Sequence, residues 1–239
     1  MKPLHRINDS VLGTWERPTL AWLAGRLPHA VVPDHLTAFG VFGAMLTATG
    51  YVLSRESLAW LWLANAGLLI NWFGDSLDGT LARLRRIERP RYGFFIDHTS
   101  DLFCQTITFI SLGVSPLAHF AVACLGLITF LIAFVYTLIT AQARGTMRIT
   151  YFYFGPTEIR ALLFLGNLLT LAVGVIDLRP WIPLVPGTGA ISIHDIGIAL
   201  LSVAGVFVIA LLAISDARAL AAQDPPPAPR LEGEPPSRS

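Results

Sequence analysis

Charged residues are scarce in this sequence: they make up 14% of the 239 residues, whereas apolar residues make up 54%. Soluble domains carry about a quarter charged residues, so the deficit excludes an ordinary soluble domain and predicts a membrane protein. The net charge is only +1. The chain as a whole is therefore not basic enough to indicate a nucleic-acid partner. Cysteine is also scarce. Cys104 and Cys124 both fall in apolar runs and are predicted to be buried thiols without a disulfide.

The N-terminal 35 residues lack a compact apolar run followed by a small-residue cleavage site, so no signal peptide is expected. Charged residues there are interleaved with apolar ones, which predicts an amphipathic helix lying on the membrane surface. The apolar positions are Trp15, Leu20, Trp22 and Leu23. At the other end, residues 216–239 are rich in proline and polar residues, so they are predicted to form a disordered cytoplasmic tail.

Six segments between residues 36 and 215 are apolar enough to cross a bilayer, which takes about 20 residues per helix. They are 36–54, 57–81, 93–114, 116–141, 158–177 and 195–215. The sequence therefore predicts an all-α, polytopic membrane domain of six transmembrane helices, preceded by the surface helix. No internal repeat is visible.

Basic residues fall on one side of these six predicted crossings. Arg55 and Arg179 are the two exceptions. Every other Lys and Arg lies in one of the two termini or close to one of two loops, which join segments two and three and segments four and five. The positive-inside rule then places both termini and both basic loops in the cytoplasm, beneath the cell membrane. The loop arginines are expected to set this orientation and to attract anionic lipid. They are Arg85, Arg86, Arg89 and Arg91.

Four aspartates stand out in this apolar chain. Asp75 and Asp78 are three residues apart and Asp97 and Asp101 are four apart, so each pair shares a helix face. A short basic loop joins the two helices, so the pairs are expected to converge near the cytoplasmic membrane surface. An ionised Asp inside a membrane costs about 2.5–3.5 kcal/mol on insertion scales. A single one can serve as a helix cap or ion pair, but four together predict a divalent-cation site.

Oxygen ligands favour Mg²⁺ or Mn²⁺ over zinc. Four carboxylates have room for two ions about 3.5–4 Å apart, as in sites for phosphoryl displacement. Small residues flank the aspartates, at Gly79, Ala82 and Gly93, and allow close approach of a helix or a ligand. Arg83, about one turn from Asp78, is suited to pair with phosphate.

The pattern Asp-x₂-Asp-Gly-x₂-Ala-Arg, then nine residues, then Gly-x₃-Asp-x₃-Asp, resembles the signature of the CDP-alcohol phosphotransferase (CDP-alcohol phosphatidyltransferase) family. All eight specified positions are filled, by Asp75, Asp78, Gly79, Ala82, Arg83, Gly93, Asp97 and Asp101. The resemblance implies a homodimeric membrane enzyme of phospholipid biosynthesis that transfers a phospho-alcohol from a CDP-alcohol to an acceptor hydroxyl and releases CMP.

The resemblance also implies residue roles. Asp75, Asp78 and Asp97 would ligate metal, and Asp101 would lie at the metals and act as general base on the acceptor. The residues bordering the cytidine diphosphate would include Gly79, Ala82, Arg83 and the two aspartates of the first pair. Thr37 would also contact the CDP group, because it matches a Pro-Asn-x-Leu-Thr string that family members often show, although this chain has Asp34 in place of the Asn. An ordinary helix start explains the same string equally well.

Glu158 and Arg160 follow Gly155-Pro156-Thr157, a string similar to one in the choline and ethanolamine phosphotransferase branch, and Asp97-His98 is also similar to that branch. A simple helix start accounts for Pro156 through Glu158. In the functional interpretation both charged residues point at the active site, where Arg160 is placed to bind an anionic acceptor or phosphate.

Two other functions use acidic residues on membrane helices. A membrane prenyltransferase has two distant Asp-rich motifs, and no second one follows residue 101 here. A divalent-cation transporter is expected to carry polar residues at mid-membrane on several helices, which segments four and six lack. The donor remains open between CDP-diacylglycerol, with a small polar acceptor, and a CDP-amino-alcohol, with a diacylglycerol acceptor.

Overall fold

The computed structural model describes residues 5–7, 13–144, 146–148, 156–178 and 191–225. Within these ranges the fold is built from seven α-helices, one 3₁₀ turn and two three-residue strands. In chain order the elements are β1 (His5–Ile7), α1 (Gly13–Ala24), α2 (Pro33–Leu53), the 3₁₀ turn (Leu58–Trp60), α3 (Leu61–Arg85), α4 (Pro90–Val114), α5 (Phe120–Arg144), β2 (Thr146–Arg148), α6 (Pro156–Val173) and α7 (Ile193–Gln223).

The two strands are the one departure from an all-α fold. β1 and β2 pair in parallel, with His5 opposite Thr146 and Ile7 opposite Arg148. Three residues are too few to show the alternation that marks a strand in a sequence, so the prediction missed them. The pairing brings the chain before α1 next to the segment that follows α5.

Four of the helices, α2, α5, α6 and α7, are long and apolar enough to cross a membrane. The other two long helices, α3 and α4, have 25 residues each and contain the aspartates of the motif. All six lie within a few residues of the predicted segments, except that α7 continues to Gln223, beyond residue 215. Its last turns are rich in alanine and leucine, which favour helix, until Asp224 and a proline run end it. Residues 226–239 of the predicted tail lie outside the described ranges.

Helices α2 and α3 pack with almost no side chain between their backbones. A Cβ added to Gly43 would lie 2.4 Å from Asn71 N, and one on Gly67 would lie 2.4 Å from Thr47 N. Only glycine permits such an approach, and small residues are the usual means of close helix packing in membranes. The two helices therefore form a tight antiparallel pair.

The connection between α3 and α4 is short and held by its own arginines. Arg86 ends α3 with a left-handed backbone (φ 56°), and Pro90 begins α4. Arg85 donates to backbone carbonyls of the chain between α1 and α2, with Nη1 2.6 Å from Val31 O and Nη2 2.9 Å from Leu27 O. Arg85 therefore fixes the approach to α2 as well as contributing to the predicted basic loop.

Helix α1 packs on α3. Leu20 and Ala24 are buried in one cluster with Leu77 and Leu81, whereas Trp22 is 56% exposed. One face of α1 is therefore covered by the domain. Its placement on a membrane surface stays a prediction.

A polar contact joins α2, α3 and α6 in the half of the domain away from the aspartates. Asn167 Nδ2 on α6 donates to Asn65 Oδ1 on α3 at 2.8 Å and to Tyr51 OH on α2 at 3.2 Å. All three side chains are at most 2% exposed. Helix α7 begins with a reciprocal cap between Ser192 and Asp195, and its Asp216 accepts a hydrogen bond from Tyr136 of α5.

Candidate active site

Three of the four aspartates converge between α3 and α4, both of which pack against α2. Asp75 on α3 and Asp97 and Asp101 on α4 each present a carboxylate oxygen, and these oxygens lie within 4.8 Å of one another. Asp97 and Asp101 are one helical turn apart, so both face α3. All three side chains remain partly exposed, so a ligand can reach them.

A buried arginine balances this negative charge. Arg160, on the second turn of α6, is 5% exposed, and its Nη1 lies 2.8 Å from Asp75 Oδ2. Its Nη2 lies 3.7 Å from Asp101 Oδ1. Among the described residues, the Nε and Nη2 donors of Arg160 have no hydrogen-bond partner. A buried guanidinium with unused donors is suited to bind an anion that enters beside the aspartates.

Asp78 lies apart from the other three. Its Oδ2 accepts a hydrogen bond from Thr37 Oγ1 of α2 at 2.6 Å, and its Oδ1 accepts one from the backbone N–H of Gly79. Asp75 and Asp78 are three residues apart on α3, but this spacing does not reveal that a hydroxyl on α2 donates to Asp78. Thr37 is therefore linked to the acidic site through Asp78.

The two glycines of the motif have open surroundings. A Cβ on Gly93 would meet nothing within 4 Å, and one on Gly79 would meet only the guanidinium of Arg83, at 3.2 Å. They differ from Gly43 and Gly67, which helix packing requires. Of the two explanations that the sequence offered for small residues here, ligand access fits both positions. Arg83 itself is exposed and Ala82 is half-buried.

Glu158 lies on the first turn of α6 and is 7% exposed. The residue before it, Thr157, donates to Glu16 of α1. Residues 151–155, which complete the string noted in the sequence, are outside the described ranges. No motif in the sequence pointed to Glu16, because a lone acid on a surface helix carries no distinctive pattern.

A small cleft opens beside the aspartates, between α2, α3 and α4. Cys104, one turn beyond Asp101, contributes to its wall, so this buried thiol borders the site. The lining residues are Thr37, Gly40, Val41, Asn71, Asp75, Ser100, Asp101 and Cys104.

Asp34, where the family pattern often has asparagine, is paired within the chain. Its carboxylate accepts two hydrogen bonds from Arg89 Nη2, at 2.5 and 2.7 Å, and one from Tyr92 OH at 3.2 Å. The Arg89 guanidinium also stacks on the Tyr92 ring. The hydrogen bond with Asp34 raises the pKa of Arg89 above its usual value. Arg89 thus pairs with Asp34 inside the chain. The sequence had predicted only a role in attracting anionic lipid for this arginine.

The chemistry of this donor set suits a hard divalent cation. Asp75, Asp97 and Asp101 offer only oxygen, and their spacing allows all three to contact one ion. Arg160 supplies positive charge at the same carboxylates, which reduces the repulsion between them. The apolar helices and the acidic cluster together define a helical membrane protein with a candidate metal site.

Comparison with known proteins identifies the family. Residues 30–209 match the family described as CDP-alcohol phosphatidyltransferase, and the chain belongs to it. An uncharacterized protein of Aquifex aeolicus is 36% identical over 84 residues, covering 35% of this chain and 40% of that protein. Cholinephosphotransferase 1 of Gallus gallus is 28% identical over 155 residues, covering 59% of this chain and 46% of the relative. The chain thus matches less than half the length of either relative.

A solved structure shares the fold. Phosphatidylinositol phosphate synthase of Mycobacterium tuberculosis, crystallised with CDP-DAG bound, aligns with a TM-score of 0.52 at 20% identity. The alignment covers 90% of this chain and 98% of that one. At this identity the match speaks for the fold alone.

Proposed function

We propose that this protein transfers a phospho-alcohol group from a CDP-alcohol to the hydroxyl of a second alcohol and releases CMP, as a step of phospholipid biosynthesis. The observation that carries the proposal is the meeting of Asp75, Asp97 and Asp101 with the buried Arg160 at one cleft. Membership in the CDP-alcohol phosphatidyltransferase family favours this activity over prenyl transfer and over cation transport.

In the proposed reaction Asp101 is the general base. It takes the proton of the acceptor hydroxyl, the acceptor oxygen forms a bond to the β-phosphorus, and the bond from that phosphorus to the CMP oxygen breaks. Asp101 suits this role because its carboxylate borders the open cleft and Arg160 Nη2 stands 3.7 Å away. The Nε and Nη2 donors of Arg160, which have no hydrogen-bond partner in the described part of the chain, are placed to bind phosphate or an anionic acceptor, with Glu158 as a second candidate on the same helix.

Mg²⁺ or Mn²⁺ is the proposed cofactor, in two ions. Asp75, Asp97 and Asp101 would hold it, and Asp78 would complete the set from the next turn of α3. When bound, the metal neutralises the diphosphate charge and makes CMP a better leaving group. Around it, Thr37 keeps Asp78 in place. Gly79, Ala82 and Arg83 are the proposed border of the cytidine diphosphate, and the space beside Gly79 and Gly93 supports ligand access there.

Two donors are candidates. The solved neighbour was crystallised with CDP-DAG bound, which supports CDP-diacylglycerol with a small polar acceptor such as glycerol phosphate, inositol phosphate or serine. The relative named cholinephosphotransferase 1 supports a CDP-amino-alcohol with diacylglycerol as acceptor. We further propose a homodimer with six membrane crossings in the cell membrane, with the active site and both termini in the cytoplasm.

The activity is tested by measuring CMP release from labelled CDP-alcohols by the purified protein with Mn²⁺. One arm supplies CDP-diacylglycerol with polar acceptors, and the other supplies a CDP-amino-alcohol with diacylglycerol. Asp101→Asn keeps the size of the side chain but removes the base, so CMP release is expected to fall by about 10²-fold or more.

Glu88→Gln is the matched control, because Glu88 is an exposed acid in the loop between α3 and α4. It should release CMP at the unaltered rate. Absence of CMP in both arms, or equal activity of Asp101→Asn and Glu88→Gln, would contradict the proposed function.

A further inference from the structure

One carboxylate oxygen of Glu16 connects three helices. Glu16 lies on the first turn of α1. Its Oε1 accepts hydrogen bonds from Trp72 Nε1 at 2.7 Å and Ser76 Oγ at 3.1 Å, both on α3. The same oxygen accepts a third from Thr157 Oγ1 on α6, also at 3.1 Å. Hydrogen bonds to an ionised group are stronger than those between neutral groups, so this junction is a firm link between α1, α3 and α6.

The junction adjoins the acidic cluster. Ser76 directly follows Asp75 on α3, and Thr157 precedes Arg160 by three residues on α6, about one helical turn. The contact between Arg160 and Asp75 therefore joins the same two helices that Glu16 joins one turn away. The start of α6 is held to α3 at two successive levels, by the Glu16 junction and by the arginine pair.

We propose that Glu16 is a positioning residue that holds the start of α6 against α3 and thereby keeps the Arg160 guanidinium beside Asp75 and Asp101. The two donors on α3 fix the position of the Glu16 carboxylate. The hydrogen bond from Thr157 then attaches α6 to that carboxylate. This deepens the proposed function and rests on it for the importance of Arg160. The hydrogen bonds of Glu16 can, however, be tested without measuring catalytic activity.

Loss of the Thr157 hydrogen bond should free the first turn of α6 and open the site from that side. Cys104 reports such an opening, because it is buried and lines the cleft with Asp75 and Asp101. The chain has only one other cysteine, Cys124. Cys124→Ala therefore leaves a single native thiol beside the site.

The test measures how fast a small methanethiosulfonate reagent labels Cys104 in the full-length Cys124→Ala protein, alongside the melting temperature. Thr157→Val removes the hydroxyl and keeps the shape, so labelling should accelerate about five- to tenfold, as expected from losing one charged hydrogen bond. Thr157→Ser keeps the donor and should label at the parent rate. Trp72→Phe removes one of the two donors on α3 and leaves Ser76 bonded to Glu16, so its acceleration should be smaller than that of Thr157→Val.

Glu16→Ala should match Thr157→Val, and the double variant should label no faster than either single one, because both remove the same link. The Thr157→Val and Thr157→Ser pair suffices if Glu16→Ala does not fold. Greater acceleration by Trp72→Phe than by Thr157→Val would overturn the proposal, because opening of the site would then not depend on the Thr157 hydrogen bond. No acceleration, additive effects, or acceleration matched by a fall in melting temperature would also overturn it. Labelling requires neither substrate nor metal, so inactivity toward CDP-alcohols would count against the proposed function alone.

Discussion

At the level of single residues, the acidic site consists of two differently held parts. Asp75 is paired with Arg160, whereas both oxygens of Asp78 accept hydrogen bonds, from Thr37 and from the Gly79 backbone. The identical side chains of the first pair therefore have different surroundings. Asp75 belongs to the cluster with Asp97 and Asp101, and the position of Asp78 depends on a hydroxyl that α2 supplies.

Thr37→Val tests that dependence. Valine keeps the volume but removes the donor to Asp78, so CMP release should fall about tenfold, the cost of one hydrogen bond to a charged group. Thr37→Ser should keep most of the activity because the hydroxyl remains. Thr49→Val is a control on the same helix, since the Thr49 hydroxyl donates to Met45 O of its own helix. The interpretation fails if Thr37→Ser is as impaired as Thr37→Val.

Sequence spacing could predict which aspartates share a helix face, because helical periodicity alone decides that. It could not predict that Arg160 would pair with Asp75, because that contact depends on how α6 docks against α3, 85 positions away in the chain. Glu16 escaped prediction for the same reason. Its three donors come from two other helices, and nothing within α1 marks it.

At the level of helices, glycine serves two distinct purposes in this chain. The interface of α2 with α3 needs glycine because the backbones touch, as at Gly43 and Gly67. The motif glycines Gly79 and Gly93 leave open space instead. Apolar runs predicted the helices themselves. The observed helix ends differ from the predicted ones where local backbone or capping interactions set them, as at Arg86, which has a left-handed backbone, and at the Ser192 cap. Apolar content does not encode these ends, so the predicted boundaries moved by a few residues.

Alanine substitutions at Gly67 and Gly93 should have opposite effects on stability. A Cβ on Gly67 would lie 2.4 Å from Thr47 N, and relief requires α2 and α3 to separate, at a cost of about 1–3 kcal/mol or more. Gly93→Ala meets no atom within 4 Å and should be neutral or stabilising by up to about 1 kcal/mol, from helix propensity. Thermal unfolding in detergent measures both. Equal melting temperatures for the two variants would contradict this account of the interface.

At the level of the whole molecule, the acidic cluster lies toward one end of the helical domain. Asp75 and Asp78 occupy the second half of α3, and Asp97 and Asp101 occupy the first half of α4. The connection of α2 to α3 lies at the opposite end. A 25-residue helix is about 37 Å long, so residue 57 and residue 88 should lie on opposite sides of a membrane.

Labelling of an introduced cysteine tests this orientation. In a Cys124→Ala background, a membrane-impermeant maleimide applied to intact cells should label Ser57→Cys and should not label Glu88→Cys. Inside-out vesicles should reverse the result, because the basic loop that contains residue 88 is predicted to be cytoplasmic. The parent with Cys104 alone gives the background rate, since that thiol is buried. Labelling of both positions from the same side would exclude the proposed crossing by α3.

The buried contact between Asn167, Asn65 and Tyr51 has a consequence for biogenesis. An unpartnered amide inside a bilayer costs free energy, and Asn167 lies in the mainly apolar stretch of α6 that follows Arg160. Its acceptors are on α2 and α3, which are synthesised first and pack tightly together. The tight pair of α2 and α3 is therefore expected to be in place in the membrane when α6 leaves the ribosome. Assembly of α2, α3 and α6 would then follow the order of the chain. Helix α6 would dock on the formed pair through the Asn167 amide, and this docking would bring Arg160 to the aspartates.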